Sequence, residues 1–290
     1  MKKWKSIGFA LLYLAIPFLV QIVMSMELMI QMVIMQIQGK KVPIAFIDKF
    51  QKDYGYNLIL VTLVNLVLIA GVGLWYCFIR KRRDVSRVNY RKILSLKSIA
   101  CLSALALCAQ FACNIIMMAF AMAFPDVYQG YLKLMEGTDL NVLPAWATLF
   151  IVVVWGPLAE ELVFRGMVFR TLRKGFSFLP AAVISGLAFG IYHMNWVQGV
   201  YASIFGFLLA FVYEKTNSLL GAYLFHFLFN LINYGLVFVQ EHAGIPDTLL
   251  DLIVLGLTVL SVPGILFFVY LYSKMFGGKK GKEDADILKI

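Results

Sequence analysis

The stretch Gly156 to Arg173, GPLAEELVFRGMVFRTLR, decides how the chain is read. It places two adjacent carboxylates, Glu160 and Glu161, and one cation, Arg165, inside an otherwise apolar segment that begins near Leu143. A charged side chain at the centre of a bilayer costs roughly 2.5–3.5 kcal/mol on insertion scales, so a carboxylate pair there has to be satisfied or used. On a helix, Glu161 and Arg165 stand at i and i+4 and pair on one face, whereas Glu160 is turned by about 100° and shares that partner less easily. The spacing predicts one paired glutamate and one free. A free carboxylate in a low-dielectric site suits proton abstraction.

The surroundings of that stretch are those of a membrane. Of 290 residues, 61% are hydrophobic and 14% charged, whereas soluble domains carry about a quarter charged residues. Runs near 20 apolar residues give eight predicted helices: Ile7–Ile34, Asn57–Ile79, Ser98–Phe124, Leu143–Phe169, Phe178–Asn195, Trp196–Tyr213, Leu219–Val239 and Leu249–Tyr272. The expected fold is all-α and polytopic. The amino-terminal MKKWKSIGFALLYLAIPFLV imitates a signal peptide, but its apolar run continues past Ile30 without a small-residue cleavage site, so it is read as a retained span.

The net charge of +10 would suit nucleic acid, but the charges lie in loops beside the spans. With the amino terminus inside, 20 Lys and Arg fall on the cytoplasmic side and 5 on the other, which predicts both termini in the cytoplasm. The basic loop Arg80 to Lys92 is read as a contact with lipid headgroups, and no nucleic-acid partner is expected. Asp126, Glu136 and Asp139 mark a solvated outer loop around Val127, and the GGKKGKEDADILKI tail reads as a loose end. The four cysteines, Cys77, Cys101, Cys108 and Cys113, lack metal-ligand spacing and read as small buried hydrophobes.

Two further polar groups interrupt apolar runs. His193 closes LAFGIYH, and His226 stands in YLFHFLFN with Asn230 at i+4 on the same helical face. EELVFR, FGIYH and HFLFN together resemble the three-motif signature EExxxR, FxxxH, HxxxN of the CAAX protease and bacteriocin-processing family. These are the type II CAAX prenyl endopeptidases and their bacterial relatives, also called ABI-family intramembrane proteases. All fixed positions match, and FRG and GFLLAFVYEKTNSL add to the likeness, which covers roughly Leu143 to Tyr234. The chain accordingly divides into amino-terminal spans (1–142), a protease-like core (143–240) and a last span with its charged tail (241–290).

The resemblance implies an intramembrane endopeptidase in a bacterial cell membrane, with Glu160 activating water and His193 holding that water, orienting Glu160 or returning the proton. His226 and Asn230 would supply oxyanion donors, with Glu161 and Arg165 fixing the helix face. Hydrolysis also requires a wet cavity reaching Glu160, expected to open toward the cytoplasm. A rival chemistry is zinc held by Glu160, His193 and His226, although HExxH spacing is absent and the metal-free form is favoured.

Expected partners are membrane lipids and a peptide or protein substrate, either a prenylated carboxy terminus or a bacteriocin- or pheromone-type precursor. The competing functions are a non-catalytic bacteriocin self-immunity or scaffolding protein and, behind it, a small transporter. Gly156 and Pro157 are expected to kink the helix and expose carbonyls beside the carboxylates. Phe189 is read as packing, His242 as solvated, and Glu27, with Gln31 and Gln36 nearby, as non-catalytic.

Overall fold

The structure is a computed structural model that describes residues 2–16, 19, 34, 37–38, 71–76, 88–137, 145–242 and 244–277. Among them there is no strand, and the molecule is an all-α membrane protein. The expectations for Glu27, Gln31, Gln36 and Cys77, most of the first two spans and the tail fall outside these residues.

Helical backbone covers 3–16, 71–76 and the short Tyr90–Ile93, followed by seven further elements. They are α1 (Leu96–Ala123), α2 (Pro125–Gly137), α3 (a continuous run over 145–173), α4 (Phe178–Tyr192), α5 (Trp196–Thr216), α6 (Leu219–His242) and α7 (Asp247–Phe276). By length and composition α1, α5, α6 and α7 can each cross a membrane, and α4 is a shorter apolar helix.

Two expectations shift. Asp126 and Glu136 lie not in a loop but on helix α2, which Pro125 starts without needing its missing N–H and Asp126 favours from the first turn, while Asp139 falls outside the described residues. The fifth predicted helix ends at Tyr192, not Asn195. Asn195 instead caps α5 by accepting from Gln198 N–H at 3.0 Å, and Met194, at φ 53°, reverses the chain between the two helices.

That tight reversal makes α4 and α5 an antiparallel pair packed through small residues. Gly186 and Gly190 form a GxxxG spacing that faces Gly199, Ser203 and Gly206. A Cβ on Gly186 would stand 2.6 Å from the Ser203 carbonyl oxygen, and one on Gly206 would stand 2.9 Å from Gly186 Cα. The backbones therefore approach more closely than any side chain would permit. On the far side, α1 packs along α6 and α7, with Gln110 donating to Asn233 at 2.9 Å and Asn114 to Thr258 at 3.2 Å.

The end of α3 is tied to the end of α5 by a two-pronged ion pair. Arg173 Nε and Nη2 donate to Glu214 Oε2 and Oε1 at 2.9 and 2.7 Å, and Nη1 donates to the Phe176 carbonyl at 2.8 Å. Lys3 lies 5.9 Å from the Phe176 ring centroid, which brings the start of the 3–16 helix to the same end of the bundle.

Candidate active site

Helix α3 is irregular where the motif sits. Two π-helical stretches, Leu149–Trp155 and Leu162–Phe169, flank a short α-helical segment, Gly156–Glu161, that carries both glutamates. In a π register the Val152 carbonyl would pair with the N–H of residue 157. Residue 157 is proline, which has none. Asn230 Nδ2 from α6 donates to that carbonyl at 2.9 Å. The Val152 carbonyl, which Pro157 cannot serve, thus has a side-chain donor from α6.

Glu161 and Arg165 pair as the spacing predicts, at 2.8 Å, and both are fully buried. The buried guanidinium also donates from Nη2 to the Gly206 carbonyl at 3.1 Å and lies 4.6 Å from the Phe189 ring centroid. Its position depends on the glycine-lined approach of α5. The same Glu161 oxygen that binds Arg165 lies 2.9 Å from His226 Nδ1. A carboxylate only accepts, so Nδ1 carries the proton.

Glu160 is not isolated. Its Oε2 stands 3.7 Å from His226 Nε2, too long for a direct hydrogen bond, and its side chain is 23% exposed where that of Glu161 is 0% exposed. One histidine therefore stands between two consecutive glutamates, bonded to the buried one and facing the more open one. The partner of Glu160 comes from a helix 66 positions away in sequence, which an i, i+4 argument on one helix does not find.

His193 follows the last residue of α4, and its Nδ1 lies 2.9 Å from the Phe189 carbonyl oxygen, which again places the proton on Nδ1. The Phe164 ring meets Phe189 at 5.0 Å and Tyr192 at 5.5 Å between centroids. Because α4 runs back along α3, these contacts set the end of α4 about one turn from Glu160 and Glu161.

Phe189 links these groups. Its ring centroid lies 4.8 Å from that of His193 and 5.8 Å from that of His226, both edge-on, and Phe205 lies 5.3 Å from His226. Phe189 was read from the sequence only as packing. It packs, and it holds both histidines and the arginine while doing so. The roles of Val152, Gly206 and Phe205 were not found in the sequence, although the glycine spacing on α4 and α5 signals close helix contact. His242 lies on the last turn of α6 with its ring stacked 4.4 Å from Phe238, and it is exposed as expected.

Residues 142–232 match the family model described as type II CAAX prenyl endopeptidase Rce1-like. That part of the chain is similar to the type II CAAX prenyl endopeptidases. A similar curated protein is the candidate membrane peptidase YdiL of Bacillus subtilis (strain 168), 30% identical over 121 residues. The match covers 41% of this chain and 50% of YdiL, so the chain spans about half the length of the relative it matches. No solved structure matches the chain.

A zinc site would need three donors converging within about 2 Å of one point. Among the described residues no three His, Cys, Asp or Glu side chains are so arranged. Glu160, His193 and His226 do not fit a three-donor metal site as they stand.

Proposed function

We propose that the chain is an intramembrane endopeptidase that hydrolyses a peptide bond in a membrane-associated peptide or protein, with a glutamate-activated water. The observation that carries this is the placement of His226 between Glu161, bonded to Nδ1, and Glu160, 3.7 Å from Nε2. Adjacent carboxylates so differently surrounded suit two tasks. The buried one fixes the imidazole, and the accessible one handles protons.

In the proposed reaction Glu160 takes a proton from water as the water oxygen bonds to the scissile carbonyl carbon. The carbonyl oxygen becomes an oxyanion, which a protonated His226 Nε2 and the remaining Asn230 N–H stabilise. The C–N bond then breaks, and the leaving nitrogen takes the proton from Glu160, which returns as carboxylate. His193, with its proton on Nδ1, offers Nε2 as an acceptor to the attacking water. Metal-free hydrolysis is favoured because, among the described residues, no three of these side chains converge as ligands.

The substrate is proposed to be a prenylated carboxy terminus or a bacteriocin- or pheromone-type precursor, processed in a bacterial cell membrane. The test compares purified wild type with Glu160→Gln and His193→Ala on a membrane-peptide library in detergent, with and without chelator. Cleavage that both variants lose supports the reading. Absence of cleavage by folded wild-type protein that still protects cells from a bacteriocin overturns it in favour of immunity.

A further inference from the structure

A second site lies away from the glutamates, at the basic end of the bundle. There the start of α1 and the end of α7 border an open cleft of about 470 Å³ lined by Lys97, Ala100 and Cys101 on one side and Phe268, Leu271, Lys274 and Met275 on the other. Among the described residues no acidic side chain lines it. The lining separates by chemistry. Phe268, Leu271 and Met275 recur at i, i+3 and i+7 and make an apolar wall on α7, while Lys97 and Lys274 are exposed cations on opposite helices.

We infer that this cleft binds an anionic phospholipid, with an acyl chain against the α7 wall and the phosphodiester between Lys97 and Lys274. Charge complementarity selects the occupant. Two ammonium groups facing one apolar cleft leave positive charge that no acid among the described lining residues offsets, and lysine stems suit a membrane boundary, where the chain lies in hydrocarbon and the head in water. The amino-terminal end of α1 adds the positive pole of its dipole on the same side as Lys97. Lys92, 5.3 Å from the Phe276 ring centroid, brings a third cation to this end of α7. The cleft also joins α7 to α1, which packs along α6, so an occupant would clamp α1 to α7.

The test uses the full chain purified in a neutral detergent. Its melting temperature is followed by tryptophan fluorescence as phosphatidylglycerol, phosphatidylcholine or inorganic phosphate is added. Phosphatidylglycerol should raise it by several degrees more than phosphatidylcholine at equal mole ratio, and phosphate should not. In Lys97→Gln/Lys274→Gln, phosphatidylglycerol affinity should fall about 30-fold, because each lysine near an anionic surface contributes roughly fivefold. The exposed pair Lys2→Gln/Lys3→Gln should leave it unchanged. Native mass spectrometry of retained lipid gives a second readout if the cleft variant melts poorly. Equal shifts from both lipids, an equal shift from free phosphate, or lipid retention insensitive to Lys97 and Lys274 would each overturn the assignment.

Discussion

His226 Nδ1 and Glu161 Oε1 are 2.9 Å apart, and that oxygen also takes Arg165 at 2.8 Å. The buried carboxylate thereby fastens an arginine on its own helix and a histidine on α6 at a single atom. Its neighbour Glu160 meets the other side of the same ring.

The two glutamates should therefore fail differently. Glu160→Gln should slow hydrolysis at least about 100-fold while leaving the fold intact. Glu161→Gln should destabilise the protein by about 3–5 kcal/mol, since it strands a buried guanidinium. Initial rates and melting temperatures, measured on both variants, separate the two effects.

Pro157 should matter through what it lacks. Pro157→Ala restores an N–H that can reach the Val152 carbonyl and compete with Asn230 for it. The expected outcome is an equal or higher melting temperature with kcat lowered about tenfold or more, as a loosened Asn230 loses its aim. Unchanged kcat would detach Asn230 from the proposed chemistry.

The α4–α5 contact should tolerate no added carbon. Gly186→Ala and Gly206→Ala should each cost about 1–3 kcal/mol by overpacking. Gly206→Ala should also disturb Arg165, whose Nη2 would lie 3.2 Å from the new Cβ. Gly235→Ala on α6, with nothing within 4 Å of the added carbon, should be neutral or stabilising by up to about 1 kcal/mol. Thermal melts of the three variants in one detergent give the comparison.

Chelation should have no effect on hydrolysis. Dialysis against EDTA is expected to leave the rate unchanged. Loss of activity restored by zinc would mean that the side chains rearrange around a metal on binding it.

Much of this could be read from residue order. The i, i+4 spacing of Glu161 and Arg165 on one helix specifies their pairing, and six predicted spans, from Ser98 onward, coincide with helices within a few residues. What depended on packing could not. The bond from Glu161 to His226 joins positions 65 apart, and Asn230 reaches a backbone carbonyl, which has no sequence signature. The same limit explains His193. Counting residues locates it along one helix, but its level relative to Glu160 depends on how α4 lies against α3. Helix α2 was missed because its acidic residues read as a solvated loop, although Pro125 and Asp126 also favour a helix start.

The division between the consecutive glutamates has an evolutionary consequence. The buried network runs through Glu161, Arg165, His226 and Gly206 and does not require Glu160. A single codon change at 160 would then yield a chain that still folds, inserts and presents the same surface to a peptide, but no longer turns it over. A proposed protease and a binding protein would stand one substitution apart, so descendants of one gene could pass from cutting a peptide to merely holding it without passing through a misfolded ancestor.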